Sequence, residues 1–282
     1  MTETMYDLLK PELPTGHREY IERQIRDYVT KTGKRGVVLG FSGGIDSAVV
    51  AMLCINALGK ERVWCYSLPC DLHGLEDYYK TVVVAKTMGV DLPVINLVDA
   101  VHEAHGILYP HRSKVSVGNI KARMRMMSLY SKAEWHDALV VGTGNRTELL
   151  IGYFTKYGDG GVDFLPIGHL YKTQVRLLAR ELNIPEAIIQ KPPSAGLWEG
   201  QTDEGELGIT YEALDRLLIA SVDMGKSEED IVEMMKTVHP VGYSELSNIK
   251  TVMSRVKTNA HKLSMPPTFS EPFIKGKDGG DK

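Results

Sequence analysis

The chain has 282 residues, 43% of them hydrophobic, and a formal net charge of −3 at pH 7. This length can bury a sizeable core, and the slightly acidic balance argues against a broad nucleic-acid-binding surface. No apolar run approaches the roughly 20 residues of a membrane span, and residues 1–22 lack a signal-peptide pattern. The three cysteines form neither a disulfide framework nor a zinc motif. We therefore expect a cytoplasmic protein, without membrane or nucleic-acid partners.

Short apolar runs alternate with amphipathic segments through the first half of the chain. Apolar runs without polar alternation are typical of parallel strands covered on both faces. The pattern therefore predicts an α/β fold with a doubly wound, mainly parallel, Rossmann-like sheet and helices on both faces. The predicted strands are 37–39, 63–68, 93–97 and 138–141, and the predicted helices between them are 18–30, 48–58, 74–88, 98–108 and 119–135.

The second half of the chain has a helical pattern. We expect one domain, 1–282, with an α/β core over about 35–165, a mostly helical part over about 166–265 and a mobile tail over 266–282. Residues 191–208 are rich in proline, glycine and acids, and a loop of this length is typically functional. The predicted helices are 172–182, 185–190, 211–220, 227–238 and 244–263.

A glycine-containing loop, 40–47, joins the first predicted strand to its helix. A tight strand-to-helix turn exposes backbone N–H groups to an anion. Ser42 and Ser47 can add hydroxyl donors, and Asp46 can bind a metal ion beside a phosphate. The pattern Ser-Gly-Gly-Ile-Asp-Ser thus predicts a phosphate site, and the alternative is an ordinary capped turn. The residues of this loop are Gly40, Phe41, Ser42, Gly43, Gly44, Ile45, Asp46 and Ser47.

A second loop follows the fourth predicted strand, at the same edge of a parallel sheet. It contains Thr143 and Glu148. Asp46 and Glu148 could together bind one Mg²⁺, which takes a few carboxylates with phosphate oxygens and water. The alternative for Glu148 is an acid in the first turn of a helix, where the helix dipole favours negative charge.

A glycine-rich loop, 155–163, carries charges of both signs, including Lys156, Asp159 and Asp163. Glycines close to lysine and aspartate indicate backbone wrapped around a polar ligand, and the alternative is a plain surface turn. Lys172 opens the next predicted helix, and His261 and Lys262 lie near the end of the last one.

Together these motifs resemble the NAD synthetase family, whose members are ATP-pyrophosphatases. The similar segments are 42–47, 118–123, 142–148, 154–161 and 206–211. The resemblance implies a homodimer with the deamido-NAD site at the subunit interface. It also implies an ATP site of Gly40 to Ser47, Thr143, Lys172 and Ser194, Mg²⁺ ligands Asp46 and Glu148, and deamido-NAD contacts Arg123, Lys156, Asp163, His261 and Lys262.

The implied reaction converts deamido-NAD to NAD with ATP and ammonia, through an adenylated intermediate that leaves AMP and pyrophosphate. Lys172 would offset charge on the departing pyrophosphate, and Asp159 is interpreted as the group that binds ammonium or takes its proton. Only about 35 residues precede the first predicted strand. We therefore expect free ammonia, or ammonia from a separate amidase, as the nitrogen source.

Three alternatives share the first loop. Another amidating ATP-pyrophosphatase, such as the synthetase part of GMP synthetase or an argininosuccinate-type ligase, should lack the 154–161 motif and the His261-Lys262 pair. An enzyme that transfers sulfur or lysine to tRNA should carry paired cysteines and a basic extension. A nucleotide-sensing module need not keep Glu148, Lys156, Asp159 and Lys172 together.

Overall fold

Three parallel strands form the sheet. They are β1 (Gly36–Gly40), β2 (Val63–Tyr66) and β3 (Ala138–Val140), in the order β2-β1-β3. Val38 of β1 lies opposite Val140 of β3 in a parallel register. The carboxyl ends of β1 and β3 therefore lie side by side, and the segments after them share one edge of the sheet. This computed structural model describes residues 9–108, 113–198, 200–238 and 246–267.

Helices cover both faces of the sheet and continue beyond it, as the sequence pattern predicts. Two short helices, α6 and α9, lie in segments that the pattern left as loops, and the last predicted helix ends in a 3₁₀ turn. In the described residues the α-helices are α1 (His17–Thr32), α2 (Ile45–Leu58), α3 (Leu72–Thr87), α4 (Val98–Leu108), α5 (Lys114–His136), α6 (Arg146–Ile151), α7 (Lys172–Glu181), α8 (Glu186–Ile189), α9 (Asp203–Leu207), α10 (Tyr211–Leu218), α11 (Glu228–Val238) and α12 (Leu246–Asn259), with a π-helical turn at Ile219–Asp223 and 3₁₀ turns at Lys60–Arg62 and Ala260–Lys262.

Strand side chains alternate between two apolar cores. Val37 and Leu39 face a core formed with α1, α2 and α7, whereas Val38 faces a core formed with α4 and α5. Helix α2 is apolar almost all round because it packs against β1 on one side and against α1 and α7 on others. Each fully buried valine or leucine contributes about 1.5–3 kcal/mol. The predicted doubly wound α/β fold is confirmed.

A third core lies in the C-terminal helical part, where α10 supplies Tyr211, Leu214 and Leu218 and packs with α11 and α12. These apolar residues recur at helical spacing, so one face of α10 is buried. This core sets α10 against the first turns of α6 and α7. The C-terminal part therefore supports the sheet edge at which the two strand-end loops lie.

The third predicted strand, 93–97, is not a regular strand. It forms one parallel bridge, between Ser67 and Val94, and the Ser67 N–H donates to the Pro93 carbonyl at 3.0 Å. Pro93 has no N–H to donate, which limits the ladder. On the opposite edge, Val141 makes a similar bridge to Phe164. Both segments extend the sheet without forming full strands.

The described residues include no helix long and apolar enough to cross a membrane. All three cysteines are buried free thiols. The predicted tail, 266–282, lies outside the described residues from 268 onward, as do residues 244 and 245 of the last predicted helix.

Candidate active site

The loop after β1 folds tightly on itself. Gly43 has a φ of 73°, and a Cβ atom there would lie 2.8 Å from the Thr81 hydroxyl oxygen, so only glycine fits. The Ser47 hydroxyl accepts from the Ser42 N–H at 3.2 Å and donates to the Gly44 carbonyl at 2.9 Å. Phe41 is buried beneath the loop. The N-terminus of α2 lies at this loop, an arrangement that can bind an anion.

Asn145 joins this loop to the one after β3. Its side-chain oxygen accepts from the Glu148 N–H at 3.0 Å, and the Glu148 carboxylate accepts from the Asn145 N–H at 3.2 Å, which forms a capping box on α6. The Asn145 amide also donates to Asp46 Oδ1 at 3.0 Å. Asn145 was not among the predicted site residues, although Asn-x-x-Glu is itself a signal for a capped helix start.

Lys172 lies between the two carboxylates that were predicted to bind metal. Its Nζ is 2.5 Å from Asp46 Oδ2 and 3.5 Å from Glu148 Oε1, and its side chain is only 2% exposed. The ring of Tyr211 lies under the ammonium, with its centroid at 5.0 Å. The structure therefore brings Asp46, Glu148 and Lys172, three of the predicted site residues, together.

Burial controls the charges in this cluster. It raises the pKa of Glu148 to about 8, against the opposing effect of the Lys172 ammonium, and the Asp46 charge adds to the rise. Burial by itself lowers the pKa of Lys172, but Asp46 and Glu148 outweigh it and the net shift is upward. Lys172 is therefore charged at neutral pH, and its ammonium opposes the rise in the Glu148 pKa that burial and the Asp46 charge cause.

The donor set fits a hard cation bound together with a nucleotide. Among the described residues there is no group of three or more His, Cys, Asp or Glu side chains placed to bind a metal. Mg²⁺ does not need such a group, because one or two carboxylates suffice when phosphate oxygens and water complete its octahedron. Asp46 and Glu148, which contact one ammonium, supply this pair.

Two further residues predicted for the ATP site lie on neighbouring segments. Thr143 is half-buried in the loop after β3. Ser194 is exposed, and its hydroxyl accepts from the Gly196 N–H at 3.1 Å. Its segment is fixed by Asp203, which accepts from the Ala195 N–H and from the Tyr211 hydroxyl, each at 3.0 Å. The same tyrosine underlies Lys172. Asp203 and Tyr211 therefore link the segment that contains Ser194 to Lys172.

Lys121, in the 118–123 motif, attaches α5 to the segment that contains Ser194. Its buried ammonium donates to Asp71 Oδ2 at 2.5 Å and to the Leu197 carbonyl at 2.6 Å. A Cβ atom at Gly118 would lie 3.0 Å from the Leu197 side chain. This glycine therefore lets the segment approach the helix closely.

The glycine-rich loop is built around Asp159. Its carboxylate accepts from the Thr155 N–H at 2.8 Å, and the Thr155 hydroxyl donates to Asn119 at 2.7 Å. The surrounding protein raises the pKa of Asp159 by desolvation, while the Thr155 N–H and the charges of Arg125 and Lys262 oppose the rise. Asp159 nevertheless has exposed surface in the isolated chain. It is thus both a turn-forming residue and an accessible carboxyl group.

Four of the five predicted dinucleotide contacts gather around this loop. We call Arg123, Lys156, His261 and Lys262 the basic cluster. Lys262 Nζ donates to the Gly152 and Phe154 carbonyls at 2.7 and 3.0 Å, and Lys156 Nζ donates to the His261 carbonyl at 2.9 Å. Arg123 reaches the Lys156 carbonyl at 3.3 Å. The end of the chain's last described helix thereby attaches to the glycine-rich loop.

Asp163, the fifth predicted contact, interacts elsewhere. Its carboxylate accepts from the Val140 N–H at 2.7 Å and from the Tyr130 hydroxyl at 3.1 Å. These bonds place it beside an outer face of α5, where Met127 is 59% exposed. Both of these bonds lead to β3 and α5, away from the basic cluster.

The fold and the two facing loops define a nucleotide-binding α/β enzyme of the ATP-pyrophosphatase class. A family model described as NAD synthase matches residues 17–266. The chain therefore belongs to the NAD synthase family.

Individual relatives agree with this assignment. The NH₃-dependent NAD⁺ synthetase of Hyperthermus butylicus is 45% identical over 251 residues, which cover 88% of this chain and 87% of that protein. Among solved structures, the NH₃-dependent NAD synthetase of Campylobacter jejuni has 31% identity and a TM-score of 0.71, covering 90% of this chain and 97% of its own. The NMN synthetase of Francisella tularensis has 30% identity and a TM-score of 0.74, covering 94% and 100%. The predicted family and the predicted enzyme class, an NAD synthetase-type ligase, are confirmed over the other classes considered.

Proposed function

We propose that this chain converts deamido-NAD to NAD, consuming ATP and ammonia and releasing AMP and pyrophosphate. The observation that carries the proposal is the position of Lys172, whose buried ammonium contacts Asp46 and Glu148 at the point where two strand-end loops meet. A phosphate loop with one cation and two carboxylates beside it has the parts that ATP cleavage needs. Membership of the NAD synthase family supplies the acceptor.

The first step follows from the chemistry of carboxylates. A carboxylate is a poor acyl electrophile, so its oxygen first attacks the α-phosphorus of ATP and pyrophosphate leaves. The 40–47 loop binds the departing pyrophosphate through N–H and hydroxyl donors, and Lys172 offsets its negative charge. Thr143 and Ser194 contact the same nucleotide. The product is an acyl-adenylate, in which AMP is a good leaving group.

Ammonia then attacks the acyl carbon, and AMP departs. At neutral pH ammonia exists mainly as ammonium, which must lose a proton before it can attack. Asp159, whose pKa desolvation raises, accepts that proton or orients the ammonium. Free ammonia is the nitrogen source, supplied from solution or by a separate amidase, and the reaction takes place in the cytoplasm.

Asp46 and Glu148 would hold Mg²⁺. The ion supplies Lewis-acid polarisation of phosphate oxygens when it is bound. Asn145 orients both carboxylates, because it donates to Asp46 and caps the helix that begins beside Glu148. The Lys172 ammonium contacts both of these carboxyl groups.

The basic cluster and Asp163 bind deamido-NAD across a homodimer interface. The cluster belongs to the glycine-rich loop and the chain's last described turn, whereas Asp163 contacts β3 and α5. Because the basic cluster and Asp163 lie on different parts of the chain, a ligand that contacts both is more readily bound between two subunits than within one. The exposed apolar side chains of Met127 and Trp135, at 59% and 83%, support α5 as the contact surface.

A second candidate substrate is the mononucleotide, nicotinate mononucleotide, because the NMN synthetase of Francisella tularensis matches this fold with a TM-score of 0.74. The decisive experiment incubates the enzyme with ATP, Mg²⁺ and ammonium chloride and offers deamido-NAD, nicotinate mononucleotide or xanthosine monophosphate. Pyrophosphate, AMP and the amidated product are measured by chromatography. We expect NAD to form fastest. Turnover confined to either mononucleotide would overturn the proposed substrate, and efficient use of glutamine alone would overturn the ammonia assignment.

A further inference from the structure

A fully buried carboxylate, Asp215 of α10, lies beneath the active site without taking part in the chemistry above. Its Oδ1 accepts from the Thr147 hydroxyl at 2.5 Å, and its Oδ2 accepts from the Thr173 N–H and hydroxyl at 2.8 and 2.7 Å. The Lys172 N–H donates in turn to the Thr147 hydroxyl oxygen at 3.0 Å. One carboxylate therefore binds the first turns of two helices.

The residues held in this way are neighbours of the reactive ones. Thr147 immediately precedes Glu148 on α6, and Thr173 immediately follows Lys172 on α7. The first N–H groups of a helix have no partner within the helix, and here the Thr147 hydroxyl and the Asp215 carboxylate satisfy them on α7. The relative position of Glu148 and Lys172 therefore depends on this network.

Helix α10 also contacts the far end of Lys172. Tyr211 and Asp215 are one turn apart and lie on the same face of the helix. The Tyr211 ring underlies the Lys172 ammonium, while Asp215 is linked to the Lys172 backbone through Thr147. One helical face thus fixes both ends of this long side chain, which reduces the number of positions its ammonium can take.

The charge on this face is not explained by packing. Leu214, Leu217 and Leu218 of the same helix are fully buried, and an apolar or amide side chain at 215 would cost less desolvation than a carboxylate. A carboxylate can accept three or more hydrogen bonds at once, which an amide oxygen and nitrogen cannot. The three donors from Thr147 and Thr173 use that capacity.

We propose that Asp215 is a positioning residue for ATP cleavage, acting through Thr147 and Thr173 on Glu148 and Lys172. This inference rests on the proposed function. Displacing partners behind a metal ligand typically costs about 10- to 100-fold in activity, and a small misplacement of a catalytic group can cost about 100-fold. The effect should fall on the ATP half of the reaction, because the network contacts neither the basic cluster nor the glycine-rich loop in the bonds described.

The test compares four variants with the wild type. Asp215→Asn keeps the shape of the side chain and loses one acceptor. Thr147→Val keeps the shape of threonine and cuts the connection to Lys172, whereas Thr147→Ser retains the hydroxyl. Leu214→Ala is the matched control, because it creates a cavity in the same helix without touching the network. The thermal unfolding midpoint of each protein is measured first. The kcat and the KM for ATP and for deamido-NAD are then measured at a temperature well below every midpoint.

We expect Asp215→Asn and Thr147→Val to lower kcat/KM for ATP by about 10- to 100-fold, with the KM for deamido-NAD changed little. Thr147→Ser should recover most of the activity that Thr147→Val loses, and Leu214→Ala should lower the midpoint without this kinetic loss. The inference is overturned if Asp215→Asn and Thr147→Val are destabilised but keep wild-type kinetics, or if Leu214→Ala loses as much activity as they do. A wild type that makes no NAD would instead refute the proposed function, so the two failures are distinct.

Discussion

The amide of Asn145 donates a hydrogen bond to Asp46 across the two strand-end loops, with 3.0 Å between Nδ2 and Oδ1. The same side chain caps α6 beside Glu148. The two proposed metal ligands come from segments about 100 positions apart in the sequence, so a direct bond between their loops fixes a distance that neither loop fixes alone. Asn145 is fully buried, and its hydrogen bonds are correspondingly costly to break.

Asn145→Ala removes both the helix cap and the bond to Asp46. We expect it to lower the free energy of unfolding by about 0.5–2 kcal/mol, the usual range for a lost cap, and to lower NAD formation by about 10-fold or more. Asn145→Ser is the matched comparison, since serine can cap the helix but is too short to reach Asp46. It should keep more of the stability while losing similar activity. Equal activity in Asn145→Ser and wild type would show that the bond to Asp46 is dispensable.

Lys172→Met leaves Asp46 and Glu148 together in a buried site without their cation. Removing one partner of a buried ionic group typically costs about 3–5 kcal/mol, so we expect a loss of that size in urea unfolding at pH 8. Mg²⁺ should then raise the unfolding midpoint of the variant more than that of the wild type, because the ion replaces the missing positive charge. Lys257→Met, an exposed change on α12, is the control. The absence of any Mg²⁺-dependent rise in Lys172→Met would count against Asp46 and Glu148 as the metal site.

Lys262→Met tests the basic cluster. Losing a charged donor typically costs about 1.5–3 kcal/mol, or roughly 10- to 100-fold in affinity. We expect a rise of that size in the KM for deamido-NAD with little change in the KM for ATP, measured by initial rates. Lys257→Met lies on the preceding helix and should change neither constant. If Lys262→Met weakened ATP and deamido-NAD equally, the separation of the two sites would be wrong.

The main elements of the fold could be predicted from the sequence because their signals are local. Apolar strands and helical spacing located β1, β2, β3 and most helices, and the strand-to-helix glycine loop indicated the proposed phosphate site. Residues 93–97 were predicted as a strand but form one bridge in the structure. Strand pairing depends on the neighbouring segment, and Pro93 has no backbone N–H to donate to it.

Other parts of the site depend on tertiary contacts that no local pattern encodes. Asp215 appears in the sequence as one acid in an amphipathic helix, and only the packing of α10 shows that it faces two helix starts. Lys121 could equally have been a solvated basic residue, but the Leu197 carbonyl and Asp71 bury its ammonium. Asn145 is the exception, since its capping pattern was present in the sequence.

Asp159→Asn separates the two half-reactions. Asparagine can still accept from the Thr155 N–H, so the turn should be preserved. We expect adenylate formation, followed as pyrophosphate release without ammonia, to stay within a few fold of wild type. Amidation should fall by about 100-fold or more, the usual contribution of a general base. Normal rates in both halves would remove Asp159 from the mechanism, and loss of both would indicate a role in folding the loop.

Asp215 should make stability depend on pH. Burial raises its pKa to about 6 from 3.8, while hydrogen bonds from Thr147 and Thr173 and the nearby charge of Lys172 oppose the rise. The folded chain therefore binds this proton more tightly than the unfolded chain. The resulting stabilisation is complete below about pH 4 and is lost as the pH rises through about 6. Asp215→Asn has no such proton to lose.

We therefore expect the wild type to lose up to about 3 kcal/mol relative to Asp215→Asn as the pH rises from about 4 to 6.5. Urea unfolding of both proteins at half-unit steps of pH measures this difference. Leu214→Ala retains the carboxyl group, so its stability should be lower throughout but follow the wild-type slope. Parallel curves for wild type and Asp215→Asn would mean that Asp215 titrates equally in the folded and unfolded chains. Its carboxylate would then be fully compensated by its three hydrogen bonds, and its burial would carry no net cost.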